Sequence, residues 1–198
     1  MVPGIIRDMT RYKHAYVLNV MADDRPGIIS TVATAVSQLN GSIDECSQTV
    51  LNGYFTLIMI VSVPEAMEPA KLADAVRGAE RGFQVMARPF IPVTPKTSGE
   101  MEKFVITAFG KDQPGVILRF SQYLASKDIN IVDLYGDRSG PDFVLISQLE
   151  VPTRWDISML QADLEEMGNT MGFTVRLQHE NVFVATNQLR LTLGHRTE

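Results

Sequence analysis

Two apolar runs rich in Val, Ile, Tyr and Phe, residues 14–21 and 102–109, are each followed by a segment whose apolar positions recur at helical spacing. The runs suit a half-buried pleated surface and predict strands. After the first, Ile28, Val32, Ala35, Val36 and Leu39 share one stripe, predicting a helix from about Ile28 to Leu39. After the second, Val116, Phe120, Tyr123, Leu124 and Lys127 stand at the same spacings, and the terminal lysine predicts a solvated helix end. "LNGY" at 51–54 and "RSGP" at 138–141 predict tight turns between paired strands. Later helices are predicted over 68–81 and 153–167, the latter with a capping-box-like start in which Thr153 precedes Asp156 by three. Closing strands are expected at 83–89 and 173–179.

The pattern is a duplication. Asp24-Arg25-Pro26-Gly27 falls on Asp112-Gln113-Pro114-Gly115, 88 positions later, and the register holds for Ser42-Ile43 on Asn130-Ile131 and for "FTLI" at 55–58 on "FVLI" at 143–146. Near the end, Gly82-Phe83 matches Gly172-Phe173 after a two-residue insertion. A period this long indicates a doubled domain rather than a solenoid. Each unit reads strand, helix, strand, strand, helix, strand. This is an α+β, ferredoxin-like split βαβ order with a four-stranded antiparallel sheet and both helices on one face. The expected divisions are an extension at 1–13, a first domain at 14–90, a Pro- and Gly-containing linker at 91–100, a second domain at 101–180, and a C-terminal arm or extra strand at 181–198.

Composition narrows the function. A net charge of -5, with Lys71, Arg77, Arg81 and Arg88 dispersed, offers no footprint for a nucleic-acid backbone, so direct DNA binding is not expected. A single cysteine excludes an internal disulfide framework. No ten apolar residues occur in succession, so no membrane association is expected and the chain reads as cytoplasmic. His14, His179 and His195 lie far apart, and His179-Glu180 lacks further ligands, so no metal is expected. Phosphate loops and HExxH pairs are absent. Cys46 reads as a small buried hydrophobe rather than a nucleophile, and Asp44, Glu45 and Asp133 as strand-rim acids rather than acid-base pairs. Met59, Met86 and Met159 fall at packing positions, and Trp155 is expected over a sheet edge.

The doubled Pro-Gly loop, with "SQLNGSIDECSQ" and "SQYLASKDINIVDLYG" following the two copies, resembles the ACT domain over residues 14–90 and 102–180. That resemblance implies a small-ligand site at the first strand-to-helix loop, often completed by another ACT domain. Carried over, the ligand-binding residues are Asp24, Pro26, Gly27, Ile28 and Ser42, and Asp112, Pro114, Gly115, Val116 and Asn130. Elementary chemistry agrees: glycine admits close approach, and free N–H groups at a helix start favour a carboxylate. The plainer alternative is that Pro-Gly only shapes the turn while Asp caps the helix. The expected function is non-enzymatic: sensing of a small ligand, an amino acid, without a cofactor, with occupancy transmitted to a regulatory protein partner and thereby to the control of amino-acid metabolism, transcription included. Exposed sheet faces and edges predict a homodimer or dimer of dimers. A small enzyme or a structural interaction module is the alternative.

Overall fold

The computed structural model describes residues 9–92 and 99–184. The chain divides into two compact units, Met1–Thr94 and Pro95–Glu198. The first contains β1 (His14–Asp23), α1 (Ile28–Gln38), β2 (Ser42–Leu51), β3 (Tyr54–Val63), α2 (Pro69–Ala79) and β4 (Gln84–Pro89). The second contains β5 (Met101–Lys111), α3 (Val116–Ser126), β6 (Asn130–Ser139), β7 (Asp142–Pro152), α4 (Ile157–Thr170) and β8 (Phe173–His179). Both sheets are antiparallel, with strand orders β2-β3-β1-β4 and β6-β7-β5-β8. These are two tandem ferredoxin-like βαββαβ domains.

Alternation along the central strands decides which face the helices cover. Tyr16, Leu18, Val20 and Ala22 of β1 and Phe55, Leu57, Met59 and Val61 of β3 are buried against Ile28, Val32 and Val36 of α1 and Leu72 and Val76 of α2. Burying each such side chain contributes roughly 1.5–3 kcal/mol, far more than helix propensity supplies. The second unit repeats this with Phe104, Ile106 and Ala108 under Phe120, Leu124, Leu160 and Leu164. The β2–β3 turn pairs Leu51 with Tyr54 and places both Asn52 (φ 50°) and Gly53 (φ 83°) in the left-handed region, as a primed two-residue hairpin turn requires. Strands β2 and β6 each carry one bulge at the same place, between Ile43 and Glu45 and between Ile131 and Asp133.

Four local expectations are corrected. The helix expected from Thr153 starts at Ile157, because Asp156 is the residue that caps it, accepting from the Met159 N–H at 3.1 Å. The freed turn lets Trp155 dock inward, its Nε1 donating to the Lys127 carbonyl at 2.7 Å. Lys127 is therefore not a solvated end: its ammonium lies 4.7 Å from the Trp155 ring centroid and its side chain is mostly covered. Beside it, burial, together with the hydrogen bond to and charge of Asp163, raises the Tyr123 phenol above its ordinary range. Cys46 is exposed on edge strand β2, not buried. Residues 181–184 belong to a helical turn rather than a strand; the rest of the expected arm, and most of the expected linker, lie outside the described residues.

Candidate functional site

The two Pro-Gly loops form matching hollows at the same end of each sheet. Gly27 precedes α1 with φ 97°, and Gly115 precedes α3 with φ 90°, a left-handed conformation that L side chains adopt only at a cost. Neither glycine supplies a side-chain cap, so the first-turn amides of both helices are left for solvent or a ligand. The main chain holds the loops in place: Asp24 N–H donates to the Gly53 carbonyl at 2.7 Å and Asp112 N–H to the Pro141 carbonyl at 2.8 Å. Each loop is thereby tied to the adjacent hairpin turn.

The first hollow, about 390 Å³, is lined by Asp24, Arg25, Pro26, Gly27, Ile28, Ile29 and Ser30, with Gln48, Val50 and Phe55 as its far wall. The second, about 360 Å³, is lined by Asp112, Gln113, Gly115, Val116, Ile117, Leu118 and Phe143. Of the predicted residues, Asp24, Pro26, Gly27 and Ile28 come together in one, and Asp112, Gly115 and Val116 in the other, with Pro114 in the same loop. Ser42 and Asn130 do not join them. They begin β2 and β6, and Ser42 pairs with Ser62, at the end of the sheet where β1 starts. The loop lies at the other end of β1, about 25 Å away along the strands. At Ser42's end the Tyr12 N–H donates to Ser62 Oγ at 3.1 Å, while Asn130 Nδ2 donates to Glu150 Oε2 at 3.1 Å.

Three features were not assigned from sequence. The residue after the loop acid is a brace: Arg25 pairs with Glu80 at 2.8 Å and lies over Phe83, whereas Gln113 donates to the Met171 carbonyl. Different chemistry thus ties each loop to the connection before the last strand. The far wall comes from the hairpin, which the strand order brings to the loop because β1 and β2 run parallel on either side of β3. The acids themselves also differ in state. Arg138 Nε pairs with Asp112 at 3.0 Å, while Asp24 has no ion-pair partner among the described residues. Arg138 stands where the first unit has Val50, so the β-hairpin pairing of the repeat is the signal that locates it.

The model of the ACT domain matches residues 14–88 and 102–178, most of the chain and both copies. The chain belongs to the ACT-domain family. Among curated relatives it is similar to a UPF0237 protein of Methanosarcina acetivorans, 33% identical over 82 residues covering 41% of this chain and 89% of the relative. A UPF0237 protein of Methanococcus maripaludis is 34% identical over 84 residues, 42% of this chain and 93% of the relative. Among solved structures, an unknown protein from Galdieria sulphuraria superposes with TM-score 0.70 at 23% identity, over 84% of this chain and 98% of that one. A structure described as a candidate glycine cleavage system transcriptional repressor gives TM-score 0.59 at 17% identity over the same shares. At these identities the structural likeness concerns the fold. No group of three or more His, Cys, Asp or Glu side chains suited to a metal occurs among the described residues. No helix among them is long and apolar enough to cross a membrane.

Proposed function

We propose that this ACT-domain protein is a non-catalytic regulator that senses an amino acid in the hollow between β1 and α1 and passes occupancy to a protein partner, in the control of amino-acid metabolism, transcription included. The observation that carries this reading is the uncapped α1 start beside an unpaired Asp24. The first-turn amides suit a carboxylate, Asp24 suits an ammonium, and Val50, Phe55 and Ile29 offer apolar surface to a side chain. Gly27 allows the ligand against the backbone.

The first unit is the principal site under this reading, because the second unit's acid is already engaged by Arg138. A ligand that favours one arrangement of the assembly over another carries the signal by that difference in affinity. The net charge of -5 assigns any DNA contact to a partner protein. Calorimetric titration of the full chain with each of the twenty amino acids tests the proposal. Saturable binding by one or a few, weakened by Asp24→Ala, supports it; heat from none of them leaves the loop as an architectural turn.

A further inference from the structure

On the sheet face that α1 and α2 leave open, the strand register aligns Glu45, Ile60, Val17 and Arg88 in a single row from edge strand β2 to edge strand β4. The next row is Ser47, Ile58, Asn19 and Met86. Ile58 is 48% and Met86 68% exposed. The charged row and Ile58 line one shallow depression of about 250 Å³. Neither Glu45 nor Arg88 has an ion-pair partner among the described residues. An acid thus stands at one edge and a base at the other, about 14 Å apart by three strand spacings, with apolar side chains between.

We propose that this face docks a second copy of the chain, first unit against first unit. A two-fold axis running parallel to the strands sets Glu45 over Arg88 of the partner subunit, and Arg88 over Glu45 of the partner subunit, with Ile60, Val17 and Ile58 packed between. An axis perpendicular to the strands instead stacks Glu45 on Glu45 of the partner subunit, so the charges select the first arrangement. Stacked sheets lie about 10 Å apart, a gap that a Glu and an Arg reaching toward each other span. The second unit's corresponding row is Asp133, Gln148, Val105 and Gln178. It has an acid, no base and an amide in place of Ile60, so only another first unit answers both charges. Four strands about 4.8 Å apart and roughly eight residues long present on the order of 500 Å² a side, at the low end for specific interfaces, so the association is concentration-dependent. The inference is independent of the amino-acid reading and stands if the loop hollow binds nothing.

Sedimentation of the full chain across the micromolar range tests it. Glu45→Arg and Arg88→Glu, each at an exposed position, create two like-charge contacts per dimer and are each expected to weaken self-association by about tenfold or more. Mixing the two variants restores it, because the new base of one then meets the new acid of the other at one end, while the unchanged Arg88 and Glu45 meet at the other. The double variant E45R/R88E associates like the parent. Circular dichroism melts confirm that each variant is folded. A parent that stays at 22.0 kDa throughout the range, single variants that keep the parent's association, or a mixture that remains dissociated would each overturn the proposal.

Discussion

Arg138 holds Asp112, an acid lining the second loop hollow, at 3.0 Å, whereas Val50 stands at Arg138's repeat position beside Asp24 in the first. The second unit therefore carries an internal cation where the first leaves room for an external one. Arg138→Ala is expected to give the second hollow the character of the first. Calorimetry should then show a second binding event per chain for whichever amino acid the parent binds. Because Arg138 is 69% exposed at its side chain, stability should change by less than about 1 kcal/mol. An unchanged stoichiometry would mean that Asp112 pairing does not distinguish the units.

Gly27 separates two roles that the loop combines. An added Cβ meets nothing nearer than Ser30 Oγ at 3.9 Å, so the cost of substitution comes from the backbone at φ 97° rather than from crowding. Gly27→Ala is expected to destabilise the first unit by about 1–2 kcal/mol, and Gly27→Asn by less, since Asn tolerates the left-handed region. Gly27→Val adds bulk over the helix amides and should weaken amino-acid binding by about tenfold more than the alanine change does. Denaturation and titration of the three variants resolve these effects.

Asp24→Ala should weaken binding of an amino acid by about 1.5–3 kcal/mol while leaving its des-amino analogue unaffected. The double comparison of protein and ligand isolates the carboxylate–ammonium contact. Equal losses for both ligands would assign Asp24 a loop-shaping role instead.

Much of this architecture was legible because the units repeat with a constant offset and because the apolar spacing changes from strand-like to helical on either side of each Pro-Gly. The loop halves of the site followed from the same motif. What escaped sequence reading depended on side chains choosing between equivalent roles. Thr153 and Asp156 are both good caps, and only the docking of Trp155 against the Lys127 carbonyl decides in favour of Asp156. Cys46 resembles a buried hydrophobe until the strand order makes β2 an edge. Ser42 and Asn130 match each other in the repeat, but the match does not say which end of the sheet they occupy; the parallel course of β1 and β2 does.

Duplex DNA should not bind the chain tightly by itself. The -5 charge provides no counterion release to drive association, and anisotropy at physiological salt should show no saturable nanomolar binding. Tight binding that falls steeply with added salt would require a basic surface made by the assembled protein.

Gly110 is where the two units solve one packing problem differently. A Cβ there would lie 2.6 Å from the Gly172 carbonyl and 2.7–2.8 Å from Phe173 ring atoms, and these neighbours have little freedom to retreat. Gly172 is fixed at φ 69°, and Phe173 is buried edge-on against Phe120 at 6.5 Å between ring centroids. The first unit has Ala22 at the matching strand position and accommodates it in its core. The later helix also differs: α4 runs 14 residues against 11 in α2, and the Gly172-Phe173 connection after it lies against Gly110 of β5. Gly110→Ala, which only copies the first unit's residue, should therefore cost about 2–4 kcal/mol. Trp155, the one tryptophan, sits in the second unit and reports the loss directly as a lower fluorescence midpoint in urea. Ala22→Gly in the first unit removes one methyl and should cost only about 1 kcal/mol, leaving the amino-acid titration unchanged. A Gly110→Ala chain as stable as the parent would mean that the connection before β8 yields, and that the close approach is a consequence of the longer helix rather than a requirement of the fold.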